Sequence, residues 1–190
     1  MTKRLMIFAD NSNLFRGARS IGVHFRYERL AKYLATKAPL EYDLDTELYD
    51  LRRVFVYCSL DISKTKEQQE FERGVYRSIN AIPKFDVLVY DLKIIYDAKG
   101  CVIDKYEKGV DVALATDLLL MAANGSYDVA IVCCGDEDLK KAVEGVKSLG
   151  KEIYVAAFPR SCSPVLKDAS LCYIDLAKHK DEIELVIKPK

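Results

Sequence analysis

This chain has only two histidines, His24 and His179, which leaves little for a Ser-His-Asp triad. No GxSxG elbow is present to present such a serine. GxGxxG and GxxxxGKS/T are both absent, so the glycine cradle for a dinucleotide or a nucleoside triphosphate is missing. The cysteines Cys58, Cys101, Cys133, Cys134, Cys162 and Cys172 make no CxxC pair, and no histidine stands near them at zinc-finger spacing. No apolar stretch approaches the roughly 20 residues of a membrane span. The first apolar run, Leu5 to Ala9, ends at Asp10 and is too short for a signal peptide. Net charge is missing as well: 29 basic residues match 29 acidic ones, so global charge predicts no partner. Cys58, Cys133 and Cys134 lie in apolar runs, where free cysteine behaves as a small hydrophobe. That usage points to a reducing compartment, and the expected location is cytoplasmic, with no membrane association.

What is present suits one α/β domain over residues 1–190. Half the residues are apolar, so disorder is excluded, and 190 residues suffice for one good-sized core. Short apolar runs at 5–9, 54–58, 86–90, 129–134 and 153–157 read as buried strands, with a short sixth at 171–174. A polar loop is expected after the first strand, then a helix with Tyr27, Leu30, Ala31 and Leu34 at helical spacing. Residues 36–50 read as an acidic loop with a short helix. Residues 64–80 read as a helix carrying Phe71, Val75 and Ile79 on one face. A hairpin spans 92–104 and turns at Asp97 to Gly100. Helices follow over 108–123, stopped at Asn124-Gly125, and over 136–149, with Leu139, Val143 and Val146 inward. The tail from 177 to 190 is charged and peripheral. Alternating strands and helices imply a parallel sheet covered on both faces, which binds ligands outside the carboxyl ends of its strands.

Charge is distributed unevenly. Residues 1–39 hold eight basic side chains against Asp10 and Glu28, and the remainder is acidic by the same margin. A basic patch suits a polyanion; solvated helix faces explain it equally well. Aspartates gather at strand ends. Asp10 closes the first strand and Asp136 and Asp138 follow the fourth. Taken singly, Asp10 serves an Asx-turn and Asp136 a helix cap. In the helix from Lys108, however, Val110, Leu114, Leu118 and Met121 form a core stripe, Asp117 falls inside it, and Asp111 lies on its edge. A carboxylate there needs a partner, which is a hydrogen-bond donor, a lysine or a metal. Aspartates meeting at one rim repel, and a cation is the usual relief. All-oxygen ligation suits Mg2+ or Mn2+, which supports phosphodiester hydrolysis.

The run Asp10-Asn-Ser-Asn-Leu14, the run from Lys108-Gly-Val-Asp111 to Asp117, and Gly135-Asp-Glu-Asp138 together resemble the NYN family of PIN-like nucleases, within it the LabA-like group. The resemblance spans roughly residues 3–176. It implies a Rossmann-like, three-layer PIN-type domain with a parallel sheet of about five to six strands in the order 3-2-1-4-5. It implies Mg2+- or Mn2+-dependent cleavage of RNA, or of another nucleic acid. By that likeness Asp10, Asp111 and Asp136 bind the metal, Asp138 assists at the same rim, and Asp117 supports from the helix. Asn11, Ser12 and Asn13 order the loop and touch phosphate, and Lys108 contacts phosphate or orients Asp111. Cys134 stands where the family often has Ser, and Leu139 where it often has Phe; both bear on substrate positioning. The 41–50 stretch and the 92–104 hairpin would be substrate or homodimer elements. The leading expectation is a metal-dependent endoribonuclease, with Arg16, Arg19 and Lys108 gripping the RNA backbone. The alternatives are a non-catalytic RNA- or protein-binding regulatory module, and a small-molecule phosphatase, which would want a second Asp where Ser12-Asn13 stands.

Overall fold

A computed structural model describes residues 2–42 and 49–184. In chain order its elements are β1 (Arg4–Asp10), α1 (Asn11–Arg19), α2 (Tyr27–Thr36), α3 (Ala38–Glu41), β2 (Asp50–Leu60), α4 (Lys66–Asn80), β3 (Phe85–Asp91), β4 (Lys93–Tyr96), β5 (Val102–Tyr106) and α5 (Val110–Ala123). Then come β6 (Val129–Cys133), α6 (Lys140–Ser148), β7 (Glu152–Ala157), α7 (Pro164–Ala169), β8 (Cys172–Asp175) and α8 (Lys180–Ile183). The six-stranded sheet runs β3-β2-β1-β6-β7-β8, and all its pairings are parallel. Leaving out the hairpin strands, this is the expected 3-2-1-4-5 order, extended by a sixth strand at the edge.

Strand periodicity sorts the core. Leu5, Ile7 and Ala9 face one side with Val54, Val56, Val129 and Ile131, and meet Leu14, Leu30 and Leu34 of α1 and α2. Met6 and Phe8 face the other with Tyr57, Ala130 and Val132, and meet Leu114 and Leu118 of α5 and Val143 and Val146 of α6. Each fully buried large aliphatic side chain contributes roughly 1.5–3 kcal/mol. The three layers therefore hold the carboxyl ends of β1 and β6 side by side.

Two local expectations change. The chain after β1 is no loop: α1 begins at once, because extended Asp10 accepts the Asn13 N–H, and Leu14 and Ala18 give the helix an inward face. Polar residues around that short apolar pair hid the period. In α4 only Ile79 of the proposed face is buried, while Phe71 is 74% exposed. A Thr65–Gln68 capping box starts that helix whatever its packing. The short helix expected within 36–50 is α3, and residues 43–48 of that stretch, like 185–190 of the tail, lie outside the described residues. The hairpin forms as β4–β5, antiparallel and apart from the main sheet, and delivers the chain to Glu107.

Candidate active site

The switch point lies between β1 and β6, where connections leave in opposite directions. Asp10 stands at the end of β1 and is 5% exposed. Its Oδ1 accepts the Asn13 N–H at 3.1 Å, and its Oδ2 accepts the Cys134 thiol at 3.4 Å. Burial raises the Asp10 pKa; the Asn13 amide opposes this and the Glu107 charge adds to it. Cys134 also accepts the Asp136 N–H at 3.4 Å. The thiol thus sits between two of the predicted ligands. Burial keeps it protonated, so it can donate to Asp10 as a serine hydroxyl would. The departure at Cys134 therefore touches the acidic rim, and Leu139 is a core residue, 1% exposed, rather than a substrate contact.

Asn13 stitches three loops. It is buried, its Oδ1 accepts the Gly135 N–H at 3.0 Å, and its Nδ2 donates to the Ser161 carbonyl at 3.5 Å. Gly135 has no room for a side chain: a Cβ there would lie 1.8 Å from the Ser161 oxygen. Asn13 therefore orders the loop and turns inward. Asn11 accepts the Tyr27 hydroxyl at 2.9 Å.

Asp111 enters from the first turn of α5. Gly109 precedes it at φ 93°, a left-handed conformation that favours glycine. Burial, then the charges of Asp10, Asp136, Glu107 and Asp138, push Asp111 up to about 6. Four acids from three segments thus act on one carboxylate. Asp136 and Asp138 are exposed, and Asp136 caps its turn by accepting the Asp138 N–H at 3.1 Å. The capping role and the rim position coexist. Asp117 stands apart: it accepts the Tyr57 hydroxyl at 2.9 Å, tying α5 to β2, and it is not among the charges acting on Asp111. Asp117 is thus half-buried rather than in the core, and its partner is a tyrosine hydroxyl in place of a backbone amide, a lysine or a metal.

Glu107 was missed by the sequence reading. It accepts the Ser12 hydroxyl at 2.5 Å and also the Ser59 hydroxyl on the same oxygen. Its only signal was its place four residues before Asp111. Ser12, Arg16, Ser59 and Glu107 line a cavity of about 400 Å3, which Asp61 and Lys105, paired at 2.7 Å, also line. Arg16, Arg19, His24 and Lys108 are exposed.

The donor set at the rim is all oxygen, which fits Mg2+ or Mn2+. As the side chains lie, no three Asp, Glu, His or Cys residues among the described residues are grouped to hold one ion. No helix among the described residues is long and apolar enough to cross a membrane.

A family model for the NYN domain matches residues 4–177, the span that carries all three motifs. The chain belongs to the NYN domain family. NYN domains are generally nucleases. The Low amplitude and bright protein LabA of Synechococcus elongatus is 24% identical over 187 residues, covering 98% of this chain and 91% of that one. A solved structure of a protein of unknown function from Vibrio parahaemolyticus matches with a TM-score of 0.60 at 18% identity, over 96% of this chain and 97% of that one. At that identity the likeness carries the fold alone, and this NYN domain has the three-layer α/β architecture of PIN-like proteins.

Proposed function

We propose that this NYN domain is a divalent-metal-dependent nuclease, an endoribonuclease that hydrolyses RNA phosphodiester bonds at its aspartate rim. The observation that carries the reading is the convergence of Asp10, Asp136, Asp138 and Glu107 on Asp111 at the switch point. A carboxylate whose pKa is raised by neighbouring carboxylates, as that of Asp111 is, is poised to take a cation. Asp10, Asp111 and Asp136 would hold Mg2+ or Mn2+, with Asp138 assisting. Such an ion, when bound, makes water a nucleophile at neutral pH and offsets charge on a phosphoryl group. The chain's own residues do the rest. Cys134 and Asn13 hold Asp10 and the β6 loop in place. Tyr57 and Asp117 fix α5, and with it Asp111. Lys108 and Arg16 contact backbone phosphates, and Asn11 and Ser12 lie at the strand's path across the rim.

One observation favours a second reading. The ungrouped carboxylates suit a module that binds RNA without turnover.

The test is cleavage of end-labelled single-stranded and structured RNA with Mn2+, Mg2+ or EDTA, for wild type and Asp10→Asn. Asparagine keeps the oxygen that accepts the Asn13 N–H, so α1 remains capped. Cutting that needs metal and drops at least a hundredfold in the variant supports the nuclease. Retention of RNA without cutting moves the assignment to the binding module. Hydrolysis of mononucleotides in preference to polymer moves it to a phosphatase.

A further inference from the structure

The helix that follows Asp10 carries more than the acidic motif. In α1, Leu14 and Ala18 point inward one turn apart, so Phe15 and Arg19, also one turn apart, share the outer face. Phe15 is 49% exposed, an unfavourable position for a phenyl ring on a helix that already has a core face. It is nevertheless held in place. Its ring lies 5.1 Å from Phe25 at 47°, and Phe25 meets Tyr27 edge-on at 5.2 Å. Buried Tyr27 then hydrogen-bonds Asn11 of the first motif. A continuous aromatic chain therefore links the acidic rim to a surface ring.

Beside that ring is a cavity of about 770 Å3, lined by Phe15, Arg16, Arg19, Val23, His24 and Phe25. Its wall is aromatic and aliphatic, and its polar edge is cationic. Neither Arg16 nor Arg19 has a side-chain ion pair among the described residues. Arg16 also lines the 400 Å3 cavity that holds Ser12 and Glu107, so the two spaces share one guanidinium.

We propose that the cavity beside α1 is a base-stacking subsite for single-stranded RNA, with Phe15 as the platform and Arg16 and Arg19 as its phosphate contacts. The proposal rests on the nuclease reading and names the form of substrate its rim accepts. The occupant follows from the chemistry. An apolar protein segment would leave two guanidinium groups without anions. A polyanion with flat faces uses both parts: bases stack on the ring, and phosphates take the charges. Duplex RNA does not fit, because its bases are stacked inside the helix and present no free face. Arg16, shared by the two cavities, would bridge the base subsite to the rim, so the stacked nucleotide is one flanking the cleaved bond.

The test is fluorescence anisotropy of a labelled single-stranded RNA oligomer and of a duplex of equal length. Ca2+ replaces Mg2+ and Mn2+, to neutralise the rim without turnover. The proteins are wild type, Phe15→Leu and Phe15→Tyr. Leucine keeps apolar bulk against Phe25 but removes the aromatic face; tyrosine retains it. Single-strand binding is expected to weaken about tenfold in Phe15→Leu, the order of one base stacked on a ring. It should return in Phe15→Tyr, and duplex binding should stay within about twofold throughout. A 2-aminopurine in the strand should be quenched by wild type and not by Phe15→Leu; the chain has no tryptophan to obscure that signal. Equal single-strand affinity in wild type and Phe15→Leu, with cleavage intact, overturns the subsite and leaves the nuclease reading standing. A loss shared equally by single strand and duplex also overturns it. Wild type that neither binds nor cuts RNA overturns both.

Discussion

Replacing Asp111 by Asn should make the metal-free protein more stable at neutral pH. Asp111 carries a pKa of about 6 against an ordinary 3.8, first because it is half-buried and then because Asp10, Asp136, Glu107 and Asp138 surround it. A folded-state pKa above the unfolded one means that the folded protein holds this proton more tightly. The favourable contribution is therefore fully present below about pH 4 and is lost as pH rises through about 6. At about 1.4 kcal/mol per pH unit, the displacement is worth ~3 kcal/mol for a fully shielded group. Asp111 is partly open to water, and solvent screening reduces this to ~1–2 kcal/mol. Asparagine removes the charge and keeps the shape. For a chain of this length each kcal/mol moves Tm by about 2–4 °C, so Asp111→Asn should melt roughly 2–8 °C higher at about pH 7.5 in EDTA. The gap should close near pH 4. Mn2+ should raise the wild-type Tm by mass action and move the variant less. Thermal melts by circular dichroism at the two pH values, with and without Mn2+, measure all of this. A variant that melts at or below wild type at neutral pH would refute the account of the rim as a like-charge cluster.

Two further outcomes follow from contacts at the two ends of the sheet, one beside the rim and one at the amino ends of β1 and β6. Gly135→Ala places a Cβ 1.8 Å from the Ser161 oxygen and 2.5 Å from the Cys162 Cα, so backbone must move; the expected loss is ~3 kcal/mol or more, and an unchanged urea midpoint would contradict the geometry. Asp128 accepts Arg4 Nε at 2.9 Å and a terminal guanidinium nitrogen at 2.7 Å, which holds its pKa well below the usual range. Asp128→Asn should therefore destabilise at neutral pH, with a penalty that shrinks as pH falls below about 4; an equal penalty at about pH 7 and pH 2.5 would count against that pairing.

The sequence by itself determined the layered α/β class, the main strands, and the aspartates at their ends. Those features are local or periodic: runs such as Val129 to Cys133 are apolar on both faces, and the 92–104 hairpin announces its own turn. The role of Asp10 and Asp136 as caps was readable for the same reason, since a cap reaches only two or three residues along the chain. Helix α1 was not readable, because five polar residues among nine hid the inward apolar pair Leu14 and Ala18. Contacts between distant segments were not readable either. Only the tertiary structure brought Glu107 to Ser12, Cys134 to Asp10, and Tyr57 to Asp117. It also turned Asn13 inward and set Phe15 against Phe25. Each of these depends on which loops the sheet order places side by side. That order is fixed by packing across the whole sheet, which no short stretch of sequence encodes.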